Sequence, residues 1–459
     1  MHESLSHNVF VNRTLNMRKI KYIGFDMDHT LVRYNVKAFE RLAYQTMLEK
    51  LIHDKHYPAD ILNLTFLEDF TIRGLIIDRA KGNLLKVSRH GAIRASFHGT
   101  RPIEFREQQA TYRGTYIDLG DPNYMSIDTD FSISFATLYA QLIDVQDKYK
   151  NLPEYRVIAE DLLYVLDTAH RDGSLKSVVQ KDLEKYIVKD PSIVEGLERY
   201  KLHGKHLFVL TNSDYAYTKM LLDYTIQPFL KKYRHWLDLF EYVITSAQKP
   251  RFFYDNLNFF RIFQEDGRMA PMTDGLVPGL YYGGSAQKLT RDLHLERDDV
   301  LYVGDHIYGD IVRVKKDCNW RTSMVIEGLS YEVEQNKKGK PLQDEIHRLM
   351  GEKQPLEDEL VLLTTKQIEG QHKNHDEAIH QYQDRISEID ARIGQLIKKQ
   401  QALYNPNWGE IMHAGNEESY FAQQVDRYAC VYMGKISDLL SLSPRTYFRA
   451  KRRPLAHEL

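Results

Sequence analysis

The stretch Lys21-Tyr-Ile-Gly-Phe-Asp-Met-Asp-His-Thr-Leu31 constrains this chain more than any other. Its apolar run, Tyr22 to Phe25, reads as a strand buried on both faces, and it ends at Asp26. Asp28 and Thr30 follow at once. In parallel α/β sheets the carboxyl ends of the strands are where ligands and chemistry gather. Two neighbouring carboxylates repel each other unless a cation or another positive group shares the site. The plain alternative is an exposed acidic turn, and three later segments argue against it. Leu207-Phe-Val-Leu210 is another apolar run and ends in Thr211-Asn212-Ser213. Lys249 follows Tyr242-Val-Ile-Thr245, and Val300-Leu-Tyr-Val303 runs into Gly304-Asp305 and then Asp310. Each polar group therefore stands at the end of an apolar run.

A chain of 459 residues is long enough for two or three domains. Its net charge of -2 gives no general signature for binding a polyanion, so a nucleic-acid polymer is not expected as a partner and any phosphate site must be local. With only Cys318 and Cys430, a disulfide framework is excluded and a reducing compartment fits. Residues 1–7 lack the basic and apolar regions of a signal peptide, and no apolar run approaches the roughly 20 residues that span a bilayer. The expectation is a soluble, cytoplasmic protein without a membrane partner.

Along the chain, Ala38 to Lys50 reads as a helix, with Phe39, Leu42, Met47 and Leu51 close to one face. Leu75–Ile77, Leu84–Val87 and Ala92–Ala95 then read as three antiparallel strands joined by tight turns at Lys81-Gly82-Asn83 and His90-Gly91. Helices are expected from Phe131 to Tyr149 and from Tyr155 to Ala169. About 185 residues separate Asp26 from Thr211, far more than one crossover helix needs, so much of this insert should cap the acidic site. The expected core resumes with a helix from Val178 to Val188. A hairpin is expected between Pro250 and Gly283, with turns at Glu265-Asp266-Gly267 and Asp274-Gly275, and a helix from Lys288 to Leu293. Beyond Glu327, Lys337 to Pro341 reads as a linker, and Pro355 as a break between two helices of an antiparallel pair. Ile379, Tyr382, Ile386, Ile389, Ile393 and Leu396 alternate spacings of three and four, the seam of a coiled coil. His372 and His375 share that seam without a third ligand, which favours ordinary helix residues over a metal pair. Tyr420 to Tyr447 is apolar enough to pack back on the body, and Lys451-Arg-Arg453 reads as a solvated basic end. The expected organisation is core (1–36), cap (37–176), core (177–330) and a helical, partly coiled-coil extension (331–459).

Asp-x-Asp-x-Thr, a hydroxyl at a strand end, a lysine, and Gly-Asp-x-x-x-x-Asp, in that order, resemble the haloacid dehalogenase (HAD) superfamily. That resemblance implies an α/β fold with a doubly wound parallel sheet, a large inserted α+β cap and the helical extension. Asp26, last on its strand, would attack a phosphoryl group in line and form an aspartyl-phosphate. Asp28 would exchange a proton with the leaving oxygen. Asp26, the backbone carbonyl of Asp28 and Asp305 would hold a hard cation, for which Mg²⁺ suits an all-oxygen ligand set. Lys249 would add a second positive charge, and Thr211 and nearby N–H groups would bond the phosphoryl oxygens. Asp310 has two readings, a further carboxylate beside the metal or an N-terminal cap of a helix from Ile311 to Lys316.

The match narrows further. Asp26-Met-Asp-His-Thr-Leu, Thr211-Asn-Ser-Asp-Tyr, Lys249-Pro-Arg-Phe-Phe and Gly304-Asp-His-Ile-Tyr-Gly-Asp are similar to the cytosolic purine 5'-nucleotidases that favour IMP and GMP. So are Arg73-Gly-Leu, Gly82-Asn-Leu-Leu-Lys-Val87 and Gly173-Ser-Leu-Lys176 in the insert, and Phe421-Ala-Gln-Gln-Val-Asp-Arg-Tyr428 near the C-terminus. The resemblance implies phosphate contacts from Lys176, Thr211, Asn212, Ser213 and Lys249. It implies a purine stacked on Phe131 and read by Asp167 and His170, although Leu163 stands where the vertebrate enzymes carry an arginine. It further implies a nucleotide effector at Tyr308 and Lys316, with Asp128 in place of an asparagine, and a homo-oligomer, tetramer or dimer. The expected activity is Mg²⁺-dependent hydrolysis of purine nucleoside 5'-monophosphates, with phosphotransfer to a nucleoside as a further capacity. The alternatives are a HAD phosphatase of another small phosphometabolite, and a non-catalytic scaffold that uses the helices for partners. Filled catalytic positions speak against the scaffold.

Overall fold

The computed structural model describes residues 8–129, 131–263, 268–272, 274–370 and 375–458. Ten strands form the main sheet: β1 (Val9–Val11), β2 (Tyr22–Phe25), β3 (His206–Leu210), β4 (Tyr242–Thr245), β5 (Phe259–Ile262), β6 (Met269–Pro271), β7 (Gly279–Gly283), β8 (Val300–Gly304), β9 (Arg321–Val325) and β10 (Val431–Met433). Their order is β1-β10-β9-β8-β2-β3-β4-β7-β5-β6. From β10 to β7 every pairing is parallel, while β1 and the β5–β6 hairpin join antiparallel at the edges. The turn Glu265-Asp266-Gly267 expected in that hairpin lies outside the described residues.

Side-chain alternation explains why these runs are apolar throughout. Ile23, Phe25, Leu207, Val209, Val243, Leu301 and Val303 enter one buried cluster, and Phe208, Leu210, Tyr242, Ile244, Val300 and Tyr302 enter another. A parallel sheet covered on both faces needs this double burial. Gly24 makes room for it, because a Cβ there would lie 2.2 Å from the Phe208 ring. Chain order then fixes the site. From β2 the sheet grows through β3 and β4 on one side, and through β8 and β9 on the other. The carboxyl end of β2 is thus a topological switch point, the place where open α/β sheets bind ligands.

The insert carries a five-stranded antiparallel sheet in the order Arg101–Pro102, Ile93–His98, Asn83–Val87, Ile76–Asp78, Tyr124–Ser126. Gly82, at φ 71°, supplies the left-handed residue of the turn before Asn83. Helices Val36–Lys55, Phe131–Tyr149 and Tyr155–Arg171 pack on one another.

Two segments depart from expectation. The helix expected from Val178 to Val188 is split into Ser174–Lys181 and Leu183–Tyr186, followed by a strand, Ile187–Val188, that pairs with Arg33–Tyr34. Asp182 is the cause, because its carboxylate accepts from the Lys185 N–H and caps a new helix where the old one ends. Conversely, the linker at Lys337–Pro341 and the break at Pro355 are absent: Leu329–Ile368 is one helix of 40 residues with both prolines inside it.

Residues 331–410 form a compact unit of their own, and 411–459 belong with 1–330. Within the smaller unit, Ile346 and Leu349 pack on Ile389, Ile393 and Leu396 of the helix Asp376–Gln401. Lys353–Asp390 (2.9 Å) and Arg392–Glu345 (3.2 Å) bridge the same two helices. We attribute the continuity of the long helix to this packing, which offsets the cost of about 3 kcal/mol for an interior proline. His375 flanks the second helix as its N-terminal neighbour, and His372 lies outside the described residues.

Candidate active site

Four strand ends converge on the switch point. Asp26, Asp305 and Asp310 are all buried, and each offers a carboxylate oxygen within 4.8 Å of the others. The Lys249 ammonium sits among them, 2.7 Å from Asp26 Oδ1, 2.8 Å from Asp310 Oδ1 and 3.1 Å from the Tyr302 hydroxyl. Asp26 Oδ1 also accepts from the Met27 N–H at 2.7 Å, whereas Oδ2 accepts no hydrogen bond among the described residues. Asp310 is placed by the chain itself: its Oδ2 accepts from the His306 N–H, and its Cβ lies where a side chain on Gly304 would be, 2.5 Å from the added atom.

Asp310 is not the cap of a following helix. The segment beyond Gly304 is wound as two π-helical pieces, Ile307–Val312 and Val314–Cys318, and Asp310 lies inside the first. Wider π turns are frequent at functional sites. Here they let Asp310 turn back toward Lys249.

The Asp28 carboxylate faces a different way. Tyr34 donates to its Oδ1 at 2.6 Å and Ser213 to its Oδ2 at 2.8 Å. The carboxylates that cluster are therefore those of Asp26, Asp305 and Asp310, and the Asp28 carboxylate is not among them. Arg73, fully buried and contributed by the insert, donates to the Asp305 carbonyl at 3.3 Å and lies 3.8 Å from its carboxylate.

Electrostatics follow from the count. Among the described residues three clustered carboxylates, of Asp26, Asp305 and Asp310, face two cationic side chains, Lys249 and Arg73, leaving a formal excess of one negative charge. Burial, with Asp310 and Asp28 adding to it, pushes the Asp26 carboxyl up to about 8 against the pull of Lys249. The two carboxylates hold Lys249 firmly protonated despite its burial. Burial holds His306 down to about 4, so it is neutral at pH 7. A buried all-oxygen cluster whose carboxylates outnumber the cations beside them fits a hard divalent cation held by Asp26, Asp305 and Asp310.

The remaining expected residues fall into three groups. Thr211 is buried and its hydroxyl accepts from the Ser213 N–H at 3.0 Å; Lys176 pairs with Asp214 at 2.6 Å. Asn212 is turned to the lysine loop, accepting from the Lys249 N–H at 2.6 Å and donating to the Lys249 carbonyl at 3.0 Å. Among the base residues, His170 feels Asp28 and Lys176 but is lowered chiefly by burial. Asp167 is exposed and pairs with Arg171 at 2.7 Å, and Leu163 is exposed too. The Phe131 side chain lies outside the described residues. The effector residues gather elsewhere: burial drives the Asp128 carboxyl up to about 7, Tyr308 is raised by burial and by Asp128, and Lys316 lies over the Tyr428 ring.

Sequence reasoning missed roles for Tyr34, Tyr302 and Arg73. A tyrosine in the middle of a doubly buried strand is itself a signal, because its hydroxyl must find a partner inside. For Arg73 the only sign was a motif shared with relatives, and its reach into the core follows from the fold alone.

A model of the 5' nucleotidase family matches residues 9–459. The chain belongs to the 5'-nucleotidase family. It is 29% identical over 462 residues to a 5'-nucleotidase domain-containing protein of Dictyostelium discoideum, covering 98% of this chain and 75% of the relative. It is 26% identical over 474 residues to 5'-nucleotidase domain-containing protein 2 of Homo sapiens, covering 98% and 85%. A solved HAD-hydrolase of Bacillus subtilis, bound to magnesium, aligns over 67% of this chain and 88% of its own at 12% identity; its TM-score of 0.23 supports no inference. Family membership makes the protein a phosphoric monoester hydrolase of the nucleotidase class. Among the described residues no helix is long and apolar enough to cross a membrane.

Proposed function

We propose that the chain is a Mg²⁺-dependent 5'-nucleotidase that hydrolyses purine nucleoside 5'-monophosphates, IMP and GMP foremost, through an aspartyl-phosphate on Asp26. The observation that carries this reading is the state of Asp26. Lys249 and the Met27 N–H both engage Oδ1, so Oδ2 is the oxygen presented to phosphorus. Oδ2 attacks in line, the bond from phosphorus to the 5' oxygen breaks, and Asp28 delivers a proton to that oxygen. In the second half water attacks phosphorus, Asp28 takes its proton, and the bond to Asp26 breaks to release phosphate. Tyr34 and Ser213, one on each oxygen of Asp28, orient it for both transfers. A bound Mg²⁺ would supply charge neutralisation between the carboxylate nucleophile and a phosphate dianion, held by Asp26, Asp305 and Asp310 and the Asp28 carbonyl.

Lys176, Thr211 and Ser213 are assigned to the phosphoryl oxygens, and Phe131, Asp167 and His170 to the base, on the family resemblance. Nucleotide activation through Asp128, Tyr308 and Lys316, transfer to a nucleoside acceptor and a homo-oligomeric state belong to the same reading. The two free thiols, Cys318 and Cys430, suit a reducing cytoplasm. Phosphate release from a panel of purine and pyrimidine monophosphates, with and without Mg²⁺, tests the proposal. IMP and GMP should lead, and only with the metal. No release from any member would return the scaffold reading, and equal release from sugar phosphates would favour another phosphometabolite.

A further inference from the structure

The Lys249 ammonium has three protons and three partners, Asp26, Asp310 and the Tyr302 hydroxyl. Tyr302 is fully buried and carries one proton of its own. Since it accepts from Lys249, that proton goes to the Leu210 carbonyl at 3.2 Å or to Asp310 at 3.3 Å. The hydroxyl therefore ties the ammonium to the end of β3. At the other end of the residue, Asn212 grips both backbone groups of Lys249. The loop between needs that grip. Ser246 (φ 46°) and Gln248 (φ 59°) are non-glycine residues in the left-handed region, where side chains are disfavoured. Bonds from the β3 loop hold them there: Ser246 N–H to the Ser213 carbonyl at 2.9 Å and Ala247 N–H to the Thr211 carbonyl at 3.0 Å.

We propose that Asn212 and Tyr302 are positioning residues that fix Lys249, by its backbone and by its ammonium, so that the ammonium stays on Asp26 Oδ1 and leaves Oδ2 to react. The Asn212 side chain then serves the lysine, not the phosphate that family resemblance assigns to it. Calling Lys249 catalytic rests on the nucleotidase reading above; the lock itself does not.

Asn212→Ala, which removes the carboxamide, and Tyr302→Phe, which removes only the hydroxyl, test it. Thermal melting checks that both variants fold. Acetic anhydride labelling, resolved by peptide mass spectrometry and referred to the exposed lysines of the same chain, reports how well Lys249 is held. Loss of the bond to the charged ammonium in Tyr302→Phe, or of the two backbone bonds in Asn212→Ala, should speed labelling of Lys249 by roughly 10- to 100-fold. Activity on a purine monophosphate should show kcat down by a similar factor, with KM and inhibition by inorganic phosphate changed less than about twofold. Unchanged labelling of Lys249 in a folded variant would remove that residue from the proposal. A rise in KM and in the phosphate inhibition constant at unchanged kcat would make Asn212 a phosphate ligand after all. If the wild-type protein hydrolyses no monophosphate, the nucleotidase reading fails, and the labelling still decides the lock.

Discussion

Replacing Asp26 by asparagine should stabilise the metal-free protein at pH 8 relative to pH 6, although it removes the proposed nucleophile. In the folded protein the Asp26 carboxyl is pushed up to about 8, chiefly by burial, whereas in the unfolded chain it titrates near 4. Between those values the folded state holds a proton that the unfolded state lacks. Stability from this group is therefore fully present below about pH 4 and is lost as pH rises through about 8, at up to roughly 1.4 kcal/mol per pH unit. From pH 6 to pH 8 the loss is about 2 kcal/mol, and the Asp26→Asn variant, with no proton to lose there, cannot show it. His306 and His170, both lowered by burial, and Asp128, raised to about 7, titrate alike in the two proteins and cancel in the difference. Urea unfolding at pH 6, 7 and 8 in EDTA measures it, read by the buried Trp236 and Trp320 in a Trp408→Phe background, since Trp408 belongs to the second unit. The difference between wild type and Asp26→Asn should change by about 2 kcal/mol over that range. Adding Mg²⁺ should restore wild type more at pH 8 than at pH 6, because the cation takes the place of the proton. Parallel pH profiles for the two proteins would refute the charge excess on which the metal assignment rests.

Asp28→Asn should lower kcat/KM by about 10²–10⁴ on a nucleoside monophosphate and by less on p-nitrophenyl phosphate, whose leaving group needs no proton; equal losses in kcat/KM would deny Asp28 its acid role. Gly304→Ala puts a methyl group 2.5 Å from the Asp310 Cβ, so it should cost about 1–3 kcal/mol in unfolding experiments and displace Asp310 from Lys249, with activity falling. Unaltered stability and rate would show that Asp310 has room to move. A purine triphosphate should raise the rate on the monophosphate, and Lys316→Ala should weaken that response while sparing the basal rate, a coupling of about 1–3 kcal/mol. Superimposable titration curves would leave Lys316 as a solvated lysine over Tyr428.

Much of the fold was legible because its signals are local. Runs such as Tyr22–Phe25 and Val300–Val303 are apolar at every position, and a strand buried on both faces requires that. The polar residues that end those runs were legible for the same reason. What escaped was set by contacts distant in sequence. Neither the 40-residue helix through Pro341 and Pro355 nor the placement of Arg73 against Asp305 is visible in a local window, since partners elsewhere in the chain decide both. The π-wound segment after Gly304 reads as an ordinary helix in sequence. Only the structure shows it turning Asp310 inward, so of the two roles its sequence offers the helix cap falls away and its carboxylate joins those of Asp26 and Asp305.

The central claim is that the phosphoryl group passes through Asp26 Oδ2. Mixing the Mg²⁺-loaded enzyme with ³²P-labelled IMP and quenching in acid within milliseconds, before hydrolysis is complete, tests it most directly. The account requires label on the peptide that contains Asp26, released by hydroxylamine, longer-lived in Asp28→Asn and absent in Asp26→Asn. Turnover with no protein-bound phosphate at any quench time, or label that survives in Asp26→Asn, would contradict it.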